Sequence, residues 1–321
     1  MNIITKKLMG GGNTLNYLLG AIVVFCAQMV QAADISWKTD KIGGSEDNPY
    51  LLKDSGNWQS GGSAGDGHNI HFNIDGARTY ISSTGLESRT CNDFTPEAGD
   101  FVFIGGMNFY CLKGGAQDKK VSILKKGYWN LSSRYDMKLA NSAGSSFFLT
   151  NETGNVTIGK SSSESSVLVA NADNTTAEVV NIAGDWDVTK TLYLALGKNS
   201  HARWIHRGGT LSAAEYGLVI GKNTESDSCS AYLEVSGGLV KNTEGNVLIN
   251  EFAKGGAVEV LVTGGELRAE KGDLRVGVNA GATLTISGNG LVSAPANGVV
   301  FCNDAKCVAG RDSFLNLNGV I

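Results

Sequence analysis

A tryptophan flanked by two acidic residues is the first group of side chains in this sequence that is capable of chemistry. Asp185 and Asp187 stand on either side of Trp186. Two carboxylates can share general acid and base work, and an indole can support the face of a sugar ring. Arg203 and Arg207 follow in one short segment and can bind an acidic substrate. The two acids and two arginines are therefore the candidate catalytic residues for a polysaccharide lyase or glycoside hydrolase; the simpler interpretation of the acid pair is a surface turn.

The segment around Trp204 and His206 has a second, independent interpretation. Aligning Gly208 with the later Gly237 places Trp204 and His206 at positions that point inward on a strand, with Arg203 and Arg207 pointing outward. A buried neutral histidine bonded to a backbone carbonyl is one expectation. The other is a sugar-binding or catalytic patch with an exposed indole.

The remaining polar motifs give no prediction of a metal or cofactor. His68 and His71 are three residues apart, so on a strand their side chains face opposite sides, and we interpret them as solvated turn residues. The glycine-rich loop at 61–67 lacks the Lys-Ser/Thr pair that a phosphate-binding loop needs. We expect neither a bound metal nor a cofactor.

The N-terminus has the pattern of a secretory signal peptide. Lys6 and Lys7 precede an apolar run at 17–27, and small residues at 30 and 32 provide a cleavage site after Ala32. The run is too short for a membrane-spanning helix, which needs about 20 apolar residues. Residues 1–32 are predicted to be removed on export, and an uncleaved N-terminal anchor is the alternative.

Export makes disulfides permissible. Of the cysteines beyond Ala32, Cys91 and Cys111 form one candidate pair and Cys302 and Cys307 another, which leaves Cys229 unpaired. We predict that at least one pair is within bonding distance. The alternative is that the cysteines are reduced, small core residues.

Composition narrows the fold and the class of partner. The chain has 321 residues, with 43 glycines and 3 prolines, which favours many tight turns between short strands over collagen or a proline-rich linker. Its formal net charge of −4 excludes binding to nucleic acid through a globally basic surface.

Two sequence markers recur with the same spacing and indicate a repeat. One is an alternating apolar string that ends in glycine or asparagine, with the last residue at 197, 221, 250 and 277. The other is an apolar-x-apolar-x-Gly string with its glycine at 184, 208, 237, 264 and 288, followed by a third apolar position at Leu211, Val240, Leu267 and Leu291. Short alternating strands without helical periodicity, repeated every 24–29 residues, predict an all-β parallel β-helix, expected to be right-handed, with three strands per coil.

The repeat assigns apolar residues to two inward columns, one residue per coil in each. The asparagines at 199, 223 and 279 are predicted to form a turn ladder. The first column is Val156, Leu194, Leu218, Val247 and Leu274, and the second is Ile158, Leu196, Ile220, Ile249 and Val276.

The opening of the chain after the leader has a different pattern. Trp37, the Gly56-Asn57-Trp58 string and Gly65-Asp66 precede a strand. This resembles the start of large secreted bacterial β-helix proteins, and the glycine-rich repeats resemble autotransporter passenger regions. The predicted organisation is a signal peptide at 1–32, an irregular N-terminal cap and early coils at 33–140, and regular repeats at 141–321. We expect the repeats to be cut short at the end, because 316–321 has the pattern of the middle of another repeat.

The resemblance implies an exported protein of the bacterial periplasm, cell surface or extracellular space. We expect a non-catalytic stalk, adhesin or passenger-like protein that contacts glycans or cell-surface molecules, with membrane attachment only through an element outside this chain. The alternative is an enzyme of the polysaccharide lyase or glycoside hydrolase class on a pectin-lyase-like β-helix. A groove with converging acidic and basic side chains would favour the enzyme.

Overall fold

The chain folds as an all-β parallel solenoid of about six turns, which confirms the predicted fold class. The computed structural model describes residues 34–318 except 39, 46, 60–68, 74–77, 84–89, 115–119, 132–135, 142, 160–164, 216, 223–227, 252–256, 279–280, 295–297 and 302–313. Within these residues the helical content is one 3₁₀ turn at Ser55–Asn57, where the Asp54 side chain accepts a hydrogen bond from the N–H of Gly56.

Short strands make up the solenoid. The first six are β1 (Asp34–Ser36), β2 (Tyr50–Leu51), β3 (Asn69–Asn73), β4 (Thr79–Ser82), β5 (Thr90–Gly114) and β6 (Lys120–Leu131). The next ten are β7 (Met137–Leu139), β8 (Ser146–Asn151), β9 (Asn155–Ile158), β10 (Val167–Val169), β11 (Thr176–Asn181), β12 (Trp186–Val188), β13 (Thr191–Leu194), β14 (His201–His206), β15 (Thr210–Ala213) and β16 (Gly217–Ile220). The last ten are β17 (Ser230–Val235), β18 (Leu239–Asn242), β19 (Val247–Ile249), β20 (Ala257–Val262), β21 (Glu266–Ala269), β22 (Leu274–Val276), β23 (Thr283–Ser287), β24 (Leu291–Ser293), β25 (Val299–Phe301) and β26 (Phe314–Asn318).

From β7 onward the strands form three parallel walls. The first wall is β8, β11, β14, β17, β20, β23 and β26, and the second is β9, β12, β15, β18, β21 and β24. The third wall is β7, β10, β13, β16, β19, β22 and β25. Except for β24, β25 and β26, which among the described strands pair only with the preceding coil, each strand pairs with the strand one coil before it and the strand one coil after it. Successive coils are therefore bonded to each other on all three walls.

The register gives the length of each coil. On the first wall Thr176 pairs with His201, His201 with Ser230, and Ser230 with Ala257, so these coils advance by 25, 29 and 27 residues. Glu259 pairs with Thr283, an advance of 24. These four lengths match the predicted repeat of 24–29 residues. The first-wall coils before and after them are longer, because Ser146 pairs with Thr176 and Thr283 with Phe314, advances of 30 and 31 residues.

The apolar residues of the two predicted columns point inward, but the columns themselves need correction. Nine of the ten side chains are buried, and Leu196 is half-buried. Leu192 pairs with Leu218 and Leu194 pairs with Ile220, so the predicted alignment was wrong by two residues at this coil. Because side chains alternate with a period of two, a shift by two keeps Leu194 inward.

Val156 and Ile158 belong to a different wall from the one predicted. They lie on β9, where Val156 pairs with Trp186 and Ile158 with Val188. The alternation of apolar residues is the same on the second and third walls, so the string alone did not distinguish them. From Val156 the inward column continues through Trp186, Leu211, Val240 and Leu267.

The second marker was wrong by one residue at two places. Val179 and Asn181 are the residues that pair with Trp204 and His206, whereas Ile182 is 40% exposed. On the second wall Val292 pairs with Leu267, and the predicted Leu291 is 54% exposed. A one-residue shift exchanges the inner and outer faces of a strand, which explains both exposures.

The N-terminal strands join the same ladder. β3 pairs with β1 and β5. β5 also pairs with β4, β6 and β7, so the 25 residues of β5 run past several neighbouring strands. Four aromatic side chains pack at this end. The rings of Trp37 and Trp58 are 5.0 Å apart at 86°, and Phe72 packs against both, with Phe103 next to it.

Two corners of the coil require special backbone geometry. The residue after each of the third-wall strands β7 to β22 has a positive φ of 53° to 79°; these residues are Ala140, Ala170, Ala195, Gly221, Asn250 and Gly277. Between the first and second walls a glycine stacks on the glycine of the previous coil. A Cβ on Gly209 would lie 2.3 Å from the carbonyl oxygen of Gly184, and one on Gly238 would lie 2.3 Å from that of Gly209.

Alanine at Gly209 is therefore expected to destabilise the solenoid far more than alanine at Gly144. Both glycines have a similar φ, +73° and +75°, but Gly144 has no atom within 4 Å of the added Cβ. G144A tests the backbone conformation alone, which costs about 1–2 kcal/mol. G209A adds the clash, and we expect a loss of more than about 3 kcal/mol in the free energy of unfolding, measured by denaturant titration. Equal losses in the two variants would contradict close stacking at this corner.

Candidate functional site

The candidate acids lie on the outer surface, at and beside the second wall. Asp185 lies in the turn before β12 and Asp187 lies on β12, and both side chains are exposed. Asp185 is engaged with the next coil, where its Oδ1 accepts a hydrogen bond of 2.7 Å from the backbone N–H of Thr210. This contact closes a turn between coils, as expected from the simpler interpretation of the motif.

The two indoles that a sugar platform would need are inside the solenoid. Trp186 is 1% exposed and Trp204 is fully buried. Their rings pack edge to face, with centroids 4.9 Å apart. The strand alternation that exposes Asp187 turns Trp186 inward. An exposed indole is therefore wrong for both segments, and the buried position predicted for Trp204 is confirmed.

The two candidate arginines point outward, as predicted. Arg203 lies on the first wall, where its Nη1 donates to Glu178 Oε2 at 2.7 Å. Its guanidinium carbon is 5.3 Å from the ring centre of Tyr232 on the following coil. Arg207 lies in the turn after β14 and is exposed. Arg203 is thus held by two neighbours on its own wall, on strands β11 and β17.

A ladder of three buried polar side chains was not predicted. Asn151, Asn181 and His206 end successive first-wall strands and are all fully buried. Asn151 Nδ2 donates to Asn181 Oδ1 at 2.9 Å, and the same oxygen accepts from Trp186 Nε1 at 3.0 Å. The next two coils place Val235 and Val262 at this position. The misalignment by one residue concealed the ladder, because it assigned Val180 and Ile182 to the interior.

The contacts of His206 favour a neutral ring. Asn181 Nδ2 donates to the carbonyl oxygens of Gly184 at 2.7 Å and Gly208 at 2.8 Å, and it also lies 3.3 Å from His206 Nδ1. An N–H on Nδ1 would face this donor group, which places the ring proton on Nε2. His206 Nε2 then carries the proton and donates to the carbonyl of Gly209 at 3.1 Å. Burial lowers the pKa of His206 below 6.5, and the Gly209 carbonyl and Asp185 only partly oppose that effect. The predicted burial of His206 and its contact with a backbone carbonyl are confirmed.

A charged cluster on the second wall was also missed by the sequence interpretation. Arg268 donates through Nε and Nη2 to the two carboxylate oxygens of Glu266, at 2.7 and 2.6 Å. Ser293 on the next coil donates to Glu266 Oε1 at 2.7 Å, and Lys241 on the previous coil pairs with Glu270 at 3.0 Å. The sequence signal was available, because acids and bases alternate with apolar residues at 266–270.

Part of this cluster lines an open depression of about 620 Å³. Glu266, Arg268, Glu270, Ser293 and Ala294 form its lining. The hydrogen bonds from Arg268 and Ser293 hold the pKa of Glu266 below its ordinary value against the opposing effect of burial. Glu266 is therefore a carboxylate at neutral pH, and its two oxygens hold the guanidinium of Arg268 through two hydrogen bonds.

The predicted cysteine pairs stay predictions. Cys302 and Cys307 lie outside the described residues, as do the side chains of Cys91 and Cys111. Cys229 is a buried free thiol whose Sγ lies 3.6 Å from the carbonyl oxygen of Gly197.

The predicted asparagine ladder also stays a prediction, because the asparagines at 223 and 279 fall outside the described residues. Asn199 Nδ2 donates to Asn174 Oδ1 at 3.1 Å.

In the described part of the chain, no three His, Cys, Asp or Glu side chains converge on a position for a metal ion. Among the same residues, no helix has the length and apolar character needed to cross a membrane.

Comparison with protein-family models, with curated proteins and with solved structures finds no match to this chain.

The buried ring of His206 predicts a loss of stability in mild acid. Because its pKa is lowered in the folded state, the unfolded chain binds the proton more readily. The free energy of unfolding should fall as the pH drops through about 6.5 and level off below the folded-state pKa. Denaturant titrations between pH 8 and pH 4.5 would measure this slope.

The valines of the following coils provide a matched test. In H206V this component of the pH slope should disappear, because valine occupies the same place in the next two coils. H201V serves as the control, since His201 is exposed on the same strand and bonds Ser230. An unchanged slope in H206V would show that other groups cause the acid sensitivity.

Proposed function

We propose that this protein is an exported, non-catalytic β-helix whose outer walls contact glycans or other cell-surface molecules. The observation that carries the proposal is the state of the candidate catalytic side chains. Asp185 is bonded to a backbone N–H, Arg203 is paired with Glu178, and the indole between the two acids is buried. These contacts hold Asp185 and Arg203 within the coil, whereas catalysis would need the acids and arginines to converge on a common reacting atom.

The distribution of charge on the walls supports the same proposal. Ion pairs link neighbouring coils, such as Arg203 with Glu178, Lys241 with Glu270 and Lys271 with Glu244. Paired charges leave a surface with little net field, and such a surface suits contact over a long area better than capture of a charged substrate in a cleft. Stacked coils also add wall area in proportion to their number.

The signal-peptide pattern at 1–32 and the resemblance to secreted bacterial β-helix proteins and passenger regions support export to the periplasm, cell surface or medium. We propose that membrane attachment, where it occurs, uses an element other than the described coils. A solenoid presents its side chains in rows along the axis, which suits a linear glycan or an extended surface of another molecule.

The catalytic alternative is tested with polysaccharides. We expect no release of reducing or unsaturated ends when the purified protein is incubated with pectin, alginate, hyaluronan, xylan and starch. The control is the double variant D185A/D187A, which should behave like the wild-type chain. End release by the wild-type protein that the double variant lacks would overturn the non-catalytic proposal.

Export is tested separately. When the full chain is expressed in a Gram-negative bacterium, the protein outside the cytoplasm should begin at Ala33, as read by N-terminal sequencing and intact mass. A variant with both Lys6 and Lys7 changed to glutamate should accumulate with its leader intact, because the positive start of the signal is lost. An uncleaved wild-type chain would favour an N-terminal anchor instead.

A further inference from the structure

We propose that the depression on the second wall around Arg268 is a binding site for a neutral saccharide. This inference rests on the proposed function, because it names the place and the class of ligand for contact along the walls. The depression is lined by two consecutive coils, which contribute the segment 266–270 and residues 293–294, and Lys241 of the preceding coil holds Glu270.

The polar groups of the depression are held in place before any ligand arrives. Glu266 and Arg268 form a bidentate pair, and Ser293 bonds the same carboxylate. Two of the five N–H groups of Arg268 are used in this way, which leaves three donors among the described contacts. Glu270 accepts from Lys241 through Oε1, and its Oε2 remains as an acceptor. Fixed donors and acceptors reduce the entropy cost of binding.

A sugar hydroxyl donates and accepts at the same time, so two neighbouring hydroxyls match a wall where donors and acceptors alternate. One hydroxyl would accept from Arg268 while its neighbour donates to Glu270. Leu291 adds an apolar surface, since it pairs with Glu266 on the adjacent strand and is 54% exposed. An exposed leucine can cover the C–H face of a sugar ring. The volume of about 620 Å³ falls within the range of about 300–1,000 Å³ common for small-ligand sites.

The charge balance selects a neutral ligand over an acidic one. Lys241 and Arg268 carry two positive charges, and Glu266 and Glu270 carry two negative charges. A uronate would gain one attractive contact with Arg268 but would also approach both carboxylates. A neutral sugar makes the same hydrogen bonds without that repulsion.

The test is an NMR titration of the whole protein with neutral disaccharides, namely cellobiose, maltose and lactose, and with digalacturonate as the acidic comparison. At least one neutral disaccharide is expected to shift the Arg268 Nε–H signal and the backbone amides of 266–270 and Ser293. R268Q and E270Q should each weaken that binding about tenfold or more, the loss expected when a hydrogen bond to a charged group is removed. The control variant K271Q should bind as the wild-type chain does, because Lys271 pairs with Glu244 and does not line the depression.

Thermal unfolding of each variant checks that the coils are intact. E270Q keeps the Glu266–Arg268 pair and therefore tests the site even if R268Q unfolds. Binding of the neutral sugars that R268Q and E270Q leave within twofold of wild type would overturn the assignment, as would no binding or a preference for digalacturonate. If glycan binding were instead lost in R203Q, the contact surface would lie on the first wall: this site would be wrong and the proposed function would stand.

Discussion

Backbone pairing between successive coils is the constraint on which the rest of this molecule depends. Every coil must lie one strand spacing, about 4.8 Å, from the next on all three walls. At the corner after the first wall the backbones come so close that Gly184, Gly209 and Gly238 stack with no room for a Cβ. Inside the coil, each side chain must fit against the residue at the same place in the coils before and after. Outside, neighbours on adjacent coils meet at strand spacing, which is why ion pairs such as Arg203 with Glu178 run between coils.

Much of this fold could be predicted from the sequence because the repeat imposes its period on two separate markers. The three-strand coil, its length and the inward side of most strands follow from alternation and from the glycines. Register was harder to predict. An alignment error of two residues still predicted Leu194 to be buried, which is correct. An error of one residue assigned Val180 and Ile182 to the inner face, which is wrong. Coils differ in length by several residues, and the additional residues lie in the turns. The sequence of a turn does not determine which residues of the flanking strands pair with the neighbouring coil.

The charged cluster on the second wall was less predictable than the fold, again because its recognition depends on the strand register. Asp185, Trp186 and Asp187 looked like a unit because they are adjacent in sequence, yet a strand separates neighbours to opposite faces. The groups that do gather, Lys241, Arg268, Glu270 and Ser293, come from three coils and are 23 or more residues apart across coil boundaries. Only correct register brings them together. His206 is the favourable case, since the glycine that follows it identified its register and hence its burial.

The corner after the third wall has a consequence for how such proteins diverge. Alanine, glycine and asparagine occupy it in different coils with nearly the same positive φ. The requirement at this corner is a positive φ angle, and three residue types adopt it. Coils of one chain therefore differ from each other at most residue positions while their backbones keep the same conformation. Two proteins descended from a common solenoid can lose recognisable identity through neutral exchange at such places, so shared ancestry in this architecture fades from sequence alignments well before the chain path changes.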